Sequence, residues 1–338
     1  VVGGGRRPRS TLFPHAALFR SSIGAVAAIW VMRGWTPVQE ARGDKCDWWG
    51  AALSTGVLVA LLLAMTTGNK AGWTSLPIMA AFGGAIGMLG TFIWWELRAD
   101  APMLDLRLFK DRTFSLGVSA AFLTFLGSSA VLFMMPFYLQ NVLGYSAKAA
   151  GFVVVPGAIC MAIMGTVSGV LSDRFGWRPF TVGGLASSAT GLLILSFVKE
   201  DSSIWMVVPA MMLMNTGMGT FYSPNSSSVM NAVGMAKYGV VSGFLNLIRN
   251  AANVTSIAFA TIIVTATMAS MGHEPNLEAV RGGAEGVGHA FTVGLRYAFL
   301  TMMGIVLLSM VLSALQPNQV VKPDAEPDES PSEDLELT

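Results

Sequence analysis

The sequence is short of charge. Of 338 residues only 12% are charged and 53% are hydrophobic, with a mean hydropathy of +0.58. An ordinary soluble domain carries about 25% charged residues, so this chain cannot clothe a water-facing globule. The net charge is +1 and the basic residues are scattered, which leaves no footprint for nucleic acid. There are two cysteines, Cys46 in a polar loop and Cys160 in an apolar run, without metal-ligand spacing. No Gly-Lys-Ser/Thr phosphate loop is present, so nothing suggests an ATP-driven pump. No Ser-His-Asp grouping exists either. His15 lies near the start of the chain, and His273 and His289 flank a loop. Enzymatic chemistry, a cofactor and a metal site therefore have no candidate residues.

What the sequence does have is long apolar runs of bilayer length, about 20 residues each. They cover 48–66, 77–97, 114–139, 149–171, 180–198, 205–230, 243–268 and 290–315, and predict an all-α, multi-pass membrane protein with eight complete spans. The charges inside them are Glu96, Arg249 and Arg296. Gly, Pro and Met recur throughout the runs, and small residues let helices approach closely where no hydrophobic force drives them together. The short alternating segments of a β-barrel are missing.

Residues 23–32 are apolar but too short to span, and they follow the basic stretch Arg6-Arg7-Pro8-Arg9. The string from Ser10 to Ser21 resembles the translated product of a common sequencing adaptor. Residues 1–22 are accordingly expected to be a non-native leader and 23–32 the back half of a truncated transmembrane helix. A natural basic amphipathic leader is the alternative. The order of charges and apolar residues does not match a signal peptide.

Loop charges set the expected topology. With 33–47 cytoplasmic, the cytoplasmic side holds Arg33, Arg42, Lys45, Arg98, Arg107, Lys110, Arg112, Arg174, Arg178 and Lys237. The opposite side holds only Lys70, Lys148, Lys199 and Arg281. The segment 316–338 is then a cytoplasmic tail, rich in Asp, Glu, Pro and Ser and expected to be disordered.

One loop carries a motif: Gly169, then Asp173-Arg174, Gly176 and Arg178. Gly169 permits tight packing, Asp173 can sit near the N-terminus of the next helix, and Gly176 supplies a turn that a β-carbon would obstruct. This spacing resembles the cytoplasmic-loop signature of the major facilitator superfamily, with Trp177 standing where that family usually has a basic residue. The stretches from Glu96 to Phe109, from Pro136 to Ser146, Ser223-Pro224-Asn225 and from Ser242 to Asn250 resemble its fourteen-helix drug:proton antiporters. The resemblance covers about residues 23–315. It implies that 48–97 holds two linker helices and 114–315 the C-terminal six-helix bundle, built as two inverted three-helix repeats.

The resemblance further implies a substrate cavity beside the runs 114–139 and 205–230. On them stand Phe133, Met134, Met135, Tyr138 and Gln140, then Asn215, Tyr222 and Asn225. Methionine and aromatic groups suit loose recognition of varied apolar or cationic compounds, and amides anchor polar groups without fixing a charge. Tyr222 and Asn225, three apart, are expected to project together, with Pro224 loosening the backbone between them. Arg249 is a candidate pathway charge, although it lies near enough to the cytoplasmic end to snorkel. No Asp or Glu falls inside the last six runs, so a coupling carboxylate is expected in N-terminal helices that precede this chain, and residues 23–338 alone should transport nothing. The expected function is proton-coupled efflux of drugs or other amphipathic small molecules across the plasma membrane. Two alternatives stand: a metabolite or nutrient facilitator on the same fold, or a nontransporting receptor or assembly protein using the tail.

Overall fold

The structure, a computed structural model, describes residues 48–71, 75–98, 106–233, 237–277, 280 and 286–317. The leader, the run 23–32 and the tail beyond 317 lie outside the described residues. Each of the eight apolar runs forms one helix: α1 (Trp48–Ala71), α2 (Leu76–Glu96), α3 (Arg112–Asn141), α4 (Ala147–Phe175), α5 (Arg178–Leu195), α6 (Ile204–Asn231), α7 (Tyr238–Ser270) and α8 (Val287–Leu315). A 3₁₀ turn, Leu106–Lys110, leads into α3. There is no strand among the described residues. Six helices, α2, α3, α4, α6, α7 and α8, are long and apolar enough to cross a bilayer. This is an all-helical, multi-pass membrane protein.

Several helices start before their apolar runs because polar residues cap them. Asp111 accepts from the Phe114 amide at 2.8 Å, Ser146 from Ala149 at 3.2 Å and Ser203 from Trp205 at 3.3 Å. Each cap satisfies an amide that the helix leaves without a partner.

α1 and α2 pack on each other as a hairpin, and α1 touches the remaining helices through α7. α3 to α8 form the bundle. In it α6 lies against α4 and α5, and α3 lies against α7 and α8. α5 meets α8, and α3 meets α6. α7 also lies against α8, while the counterpart pair, α4 and α5, barely touches; exchanging α3, α4 and α5 for α6, α7 and α8 maps the other pairings onto themselves. Three crossings separate the equivalent helices, so equivalent helices run in opposite senses. The pairings therefore fit two inverted three-helix repeats.

Small residues make the closest contacts. A β-carbon on Gly184 would lie 2.7 Å from the Gly217 carbonyl oxygen, and one on Gly217 would strike the Gly184 carbonyl and Ser188 in turn. At the same seam Ser187 and Ser188 donate to the Leu213 and Met214 carbonyls at 2.9 and 3.0 Å. Between α3 and α8, Thr124 and Ser309 share a hydrogen bond of 2.8 Å, and Ser309 also reaches the Ala120 carbonyl. Between α3 and α7, Ser129 donates to Asn253, and the Ala130 amide donates to Ser256. Hydroxyl bonds and backbone proximity hold such helices where water cannot supply a hydrophobic force.

The boundary expected at 316 shifts. Gln316 is buried, and its amide nitrogen donates to the Thr113 carbonyl at 3.2 Å and to Ser228 at 2.9 Å. Trp177, also buried, donates from its indole to the Pro317 carbonyl at 3.1 Å. The first two residues assigned to the tail thus pack in the bundle and tie the end of α8 to α3, α5 and α6.

Candidate functional site

α6 has two unlike sides. Phe221, Asn225, Ser228 and Val229 are buried in the bundle. One position round the helix, Gly219, Tyr222, Ser223 and Ser226 line an open groove. Its other wall is α4, through Ala158, Met161, Ala162, Gly165 and Thr166. The groove encloses about 590 Å³, within the range of small-molecule sites. Both lining sets repeat every three or four residues, as one face of a helix must. The helices approach closely at its floor, where a β-carbon on Gly219 would strike the Met161 carbonyl.

Tyr222 is the hinge between the groove and its neighbours. Its ring meets the edge of Phe125 on α3 at 5.7 Å. The Arg249 guanidinium, from α7, lies 5.8 Å from the ring centroid and donates to the Tyr222 hydroxyl at 3.3 Å. Arg249 also donates to Asn246, one turn earlier on α7, at 2.5 Å. Arg249 is only half-buried, and among the described residues no carboxylate pairs with it. Side chains from α3 and α7 thus meet on one tyrosine of α6 at the edge of the groove.

The other cavity candidates divide. Met134, Met135 and Tyr138 are fully buried core residues, and the Tyr138 hydroxyl donates to the Lys199 carbonyl at 2.5 Å. Phe133 and Gln140 are exposed, with Gln140 bonded to the Pro136 carbonyl of its own helix. Asn215 is half-buried and donates to Met211 at 2.8 Å, close against Gly157. Asn225 does not project with Tyr222: it is 2% exposed and donates to the Gly117 carbonyl on α3 at 3.1 Å. A step of three residues turns a helix short of a full circle and a step of four carries it past, and the edge of the core falls between 222 and 225. Pro224 is buried too, and α6 runs unbroken through it.

In the motif loop, Gly176 adopts φ 82°, a conformation that favours glycine, and ends α4. Gly169 packs on Ser223 of α6. Asp173, expected near the start of the next helix, instead stands exposed on the last turn of α4, beside exposed Arg174. α5 starts from Trp177, with Arg178 as its first residue. Burial of an indole explains a tryptophan at a position where the family usually has a cation.

Sequence reasoning missed Phe125, Met161, Thr166, Ser226 and Asn246 around Tyr222, and the Gln316 and Trp177 contacts. The repeats 219-222-223-226 and 158-161-162-165-166 offered a signal, since each marks one helical stripe. The remote contacts of Gln316 and Trp177 had none.

Comparison with known proteins agrees with this architecture. A profile of the Major Facilitator Superfamily matches residues 16–257. Lincomycin resistance protein LmrB of Listeria monocytogenes is 24% identical over 291 residues, 85% of this chain and 60% of that protein. Multidrug resistance protein Stp of Mycobacterium tuberculosis is 31% identical over 238 residues, 70% of this chain and 44% of that protein. Riboflavin transporter RibZ of Clostridioides difficile is 29% identical over 226 residues, 66% of this chain and 48% of that protein. The chain thus spans about half the length of the curated relatives it matches. A bacterial homolog of the human lysosomal transporter Spinster, crystallised inward-facing and unoccupied, shares the fold with a TM-score of 0.50 at 17% identity, over 78% of this chain and 68% of its own. With a family match over most of its length and paired three-helix repeats in its bundle, this chain belongs to the major facilitator superfamily.

Proposed function

We propose that this chain is part of a secondary active transporter that exports drugs or other amphipathic small molecules from the cell by alternating access. The observation that carries the reading is the groove between α4 and α6. It is an open groove in the bundle, and it presents Met161, Tyr222 and three hydroxyls, Thr166, Ser223 and Ser226. A methionine and an aromatic ring adapt to varied apolar shapes, and the hydroxyls fix polar ends. Relatives named for lincomycin and multidrug resistance support the same class of cargo. Phe133 and Tyr222 are the pathway residues of this reading; Met134, Tyr138 and Asn225 hold the bundle behind them.

Export is coupled to protons, in the plasma membrane, with the end of α8 on the cytoplasmic side. The loop charges support that orientation. Gly169, Asp173, Arg174, Gly176 and Arg178 form the cytoplasmic switch loop. The test is retention of a fluorescent amphipathic dye in cells expressing the gene as its source genome encodes it, with and without a proton gradient. Faster dye loss that collapses with the gradient supports the reading, and loss equal to an empty-vector control overturns it.

A second reading, transport of one defined metabolite, is favoured by a single observation. The guanidinium of Arg249 is a fixed polar anchor, which suits a particular partner more than a varied set.

A further inference from the structure

We infer that the Arg249–Tyr222 pair is a recognition site for a carboxylate, so that the molecules taken into the α4–α6 groove are amphipathic acids. The inference rests on the reading of that groove as the substrate pathway, and it names the substrate's chemistry.

A cation in a membrane span is costly unless it is paired or lines a wet cavity. Arg249 stands in α7, half-buried, and among the described residues no carboxylate meets it. The partners it does meet, the Tyr222 hydroxyl at 3.3 Å and Asn246 at 2.5 Å, are neutral. They orient the guanidinium without cancelling its charge. An arginine has five N–H donors in a rigid fork, and these two bonds leave donors over. The fork matches the two oxygens of a carboxylate.

Tyr222 completes the site. Its oxygen accepts from Arg249, which leaves the phenolic proton free to be given to a further acceptor. Phe125 packs edge-on against its ring and fixes the ring plane. The same tyrosine lines the groove, where Ser226 stands one helical turn further on and Met161 faces it from α4. An acid seated on Arg249 and the Tyr222 hydroxyl would lay its apolar body along Met161, Ala158 and Ala162. Arg249 adjoins the groove at its Tyr222 end, and the lining itself mixes Ala158, Met161 and Ala162 with the hydroxyls of Thr166, Tyr222, Ser223 and Ser226 and holds no acid. That polarity selects against the lipophilic cations that methionine and aromatic groups alone would accept.

The experiment reads the charge of the groove with two thiol reagents and a simple fatty acid. Ser226→Cys is made in the full chain with Cys46→Ala and Cys160→Ala, and the protein is reconstituted in nanodiscs. Its reaction rates with anionic sulfonatoethyl methanethiosulfonate and cationic trimethylammonioethyl methanethiosulfonate are compared. A focused positive potential raises the rate of the anionic reagent about tenfold relative to the cationic one. Arg249→Gln abolishes that preference, and Arg249→Lys keeps it. Decanoate slows the labelling while Arg249 is in place and no longer does so in Arg249→Gln, and methyl decanoate slows it in neither protein. If the cysteine reacts with neither reagent, the groove is closed and the pathway reading falls together with the inference. If both reagents react but Arg249→Gln leaves their ratio unchanged, the pathway reading survives and carboxylate recognition is overturned. Equal protection by decanoate and its methyl ester also overturns it. Circular dichroism of Arg249→Gln, matched against Arg249→Lys, separates loss of preference from loss of fold.

Discussion

The two long sides of α6 are made from nearly the same residue types and behave in opposite ways. Toward α5, Gly217 meets Gly184 backbone to backbone, and Ser187 and Ser188 close the seam with hydrogen bonds to main-chain carbonyls. Toward α4, Gly157, Gly169 and Gly219 also sit close against the neighbouring helix, but an open groove lies along the stripe beside Tyr222, Ser223 and Ser226. Glycine and serine are therefore not by themselves a packing signal. What decides is whether a large side chain interrupts the stripe. No large residue stands between Gly184 and Gly217, whereas Tyr222 lines the groove on the other side. One side of α6 is a closed seam and the other carries the groove.

The sharpest way to break that comparison is to make one substitution on both sides. Gly217→Ala forces a methyl into the Gly184 backbone and Ser188, neither of which can yield without separating the helices. It should destabilise the bundle by about 3 kcal/mol, read as a lowered thermal midpoint in detergent or nanodiscs. A smaller effect is expected behind the groove. Tyr138→Phe removes the hydroxyl bond to the Lys199 carbonyl and should cost about 1 kcal/mol in the same assay, while cysteine labelling at 226 stays unchanged. A change in labelling would mean that the core and the groove are not separable.

Gly165→Ala is the matched control for the groove wall. The nearest atom to its new methyl is the Gly219 carbonyl oxygen at 3.8 Å, an ordinary contact. The helix should gain about 0.5 kcal/mol from the lost glycine, so a raised or unchanged midpoint is expected and a fall comparable to that of Gly217→Ala would erase the distinction. The smallest stability effect belongs to Asp173→Asn. The carboxylate is exposed on the last turn of α4, so its loss should shift stability by less than about 0.5 kcal/mol. If the loop motif switches between states, transport by the intact protein should nevertheless fall well below wild type at equal expression. Undiminished efflux would make Asp173 an ordinary surface acid.

All eight helices were legible in the sequence, because in lipid an apolar run of bilayer length has few other fates. Gly176 was legible for the same kind of reason: a tight turn between two long helices requires backbone freedom at one residue. Within the helices less could be read. Tyr222 and Asn225 are three apart, which places them near each other but not on the same side of a boundary that only the neighbours draw. Asp173 falls on the last turn of α4, and the start of α5 goes to Trp177, whose buried indole takes the N-cap position. Tyr138 looked like a cavity residue by type, and only the distant Lys199 carbonyl accounts for its place in the core.

The end of α8 carries a mechanical consequence. Gln316 ties it to α3 and α6, and the Pro317 carbonyl ties it to Trp177 at the start of α5. A chain leaving at 317 is therefore moored to three helices, and the mooring lies one residue from the Gly176 turn. A pull on anything attached beyond that point is delivered first to the indole and then to the turn between α4 and α5. A protein or surface that captures the far end would hold a lever on that turn.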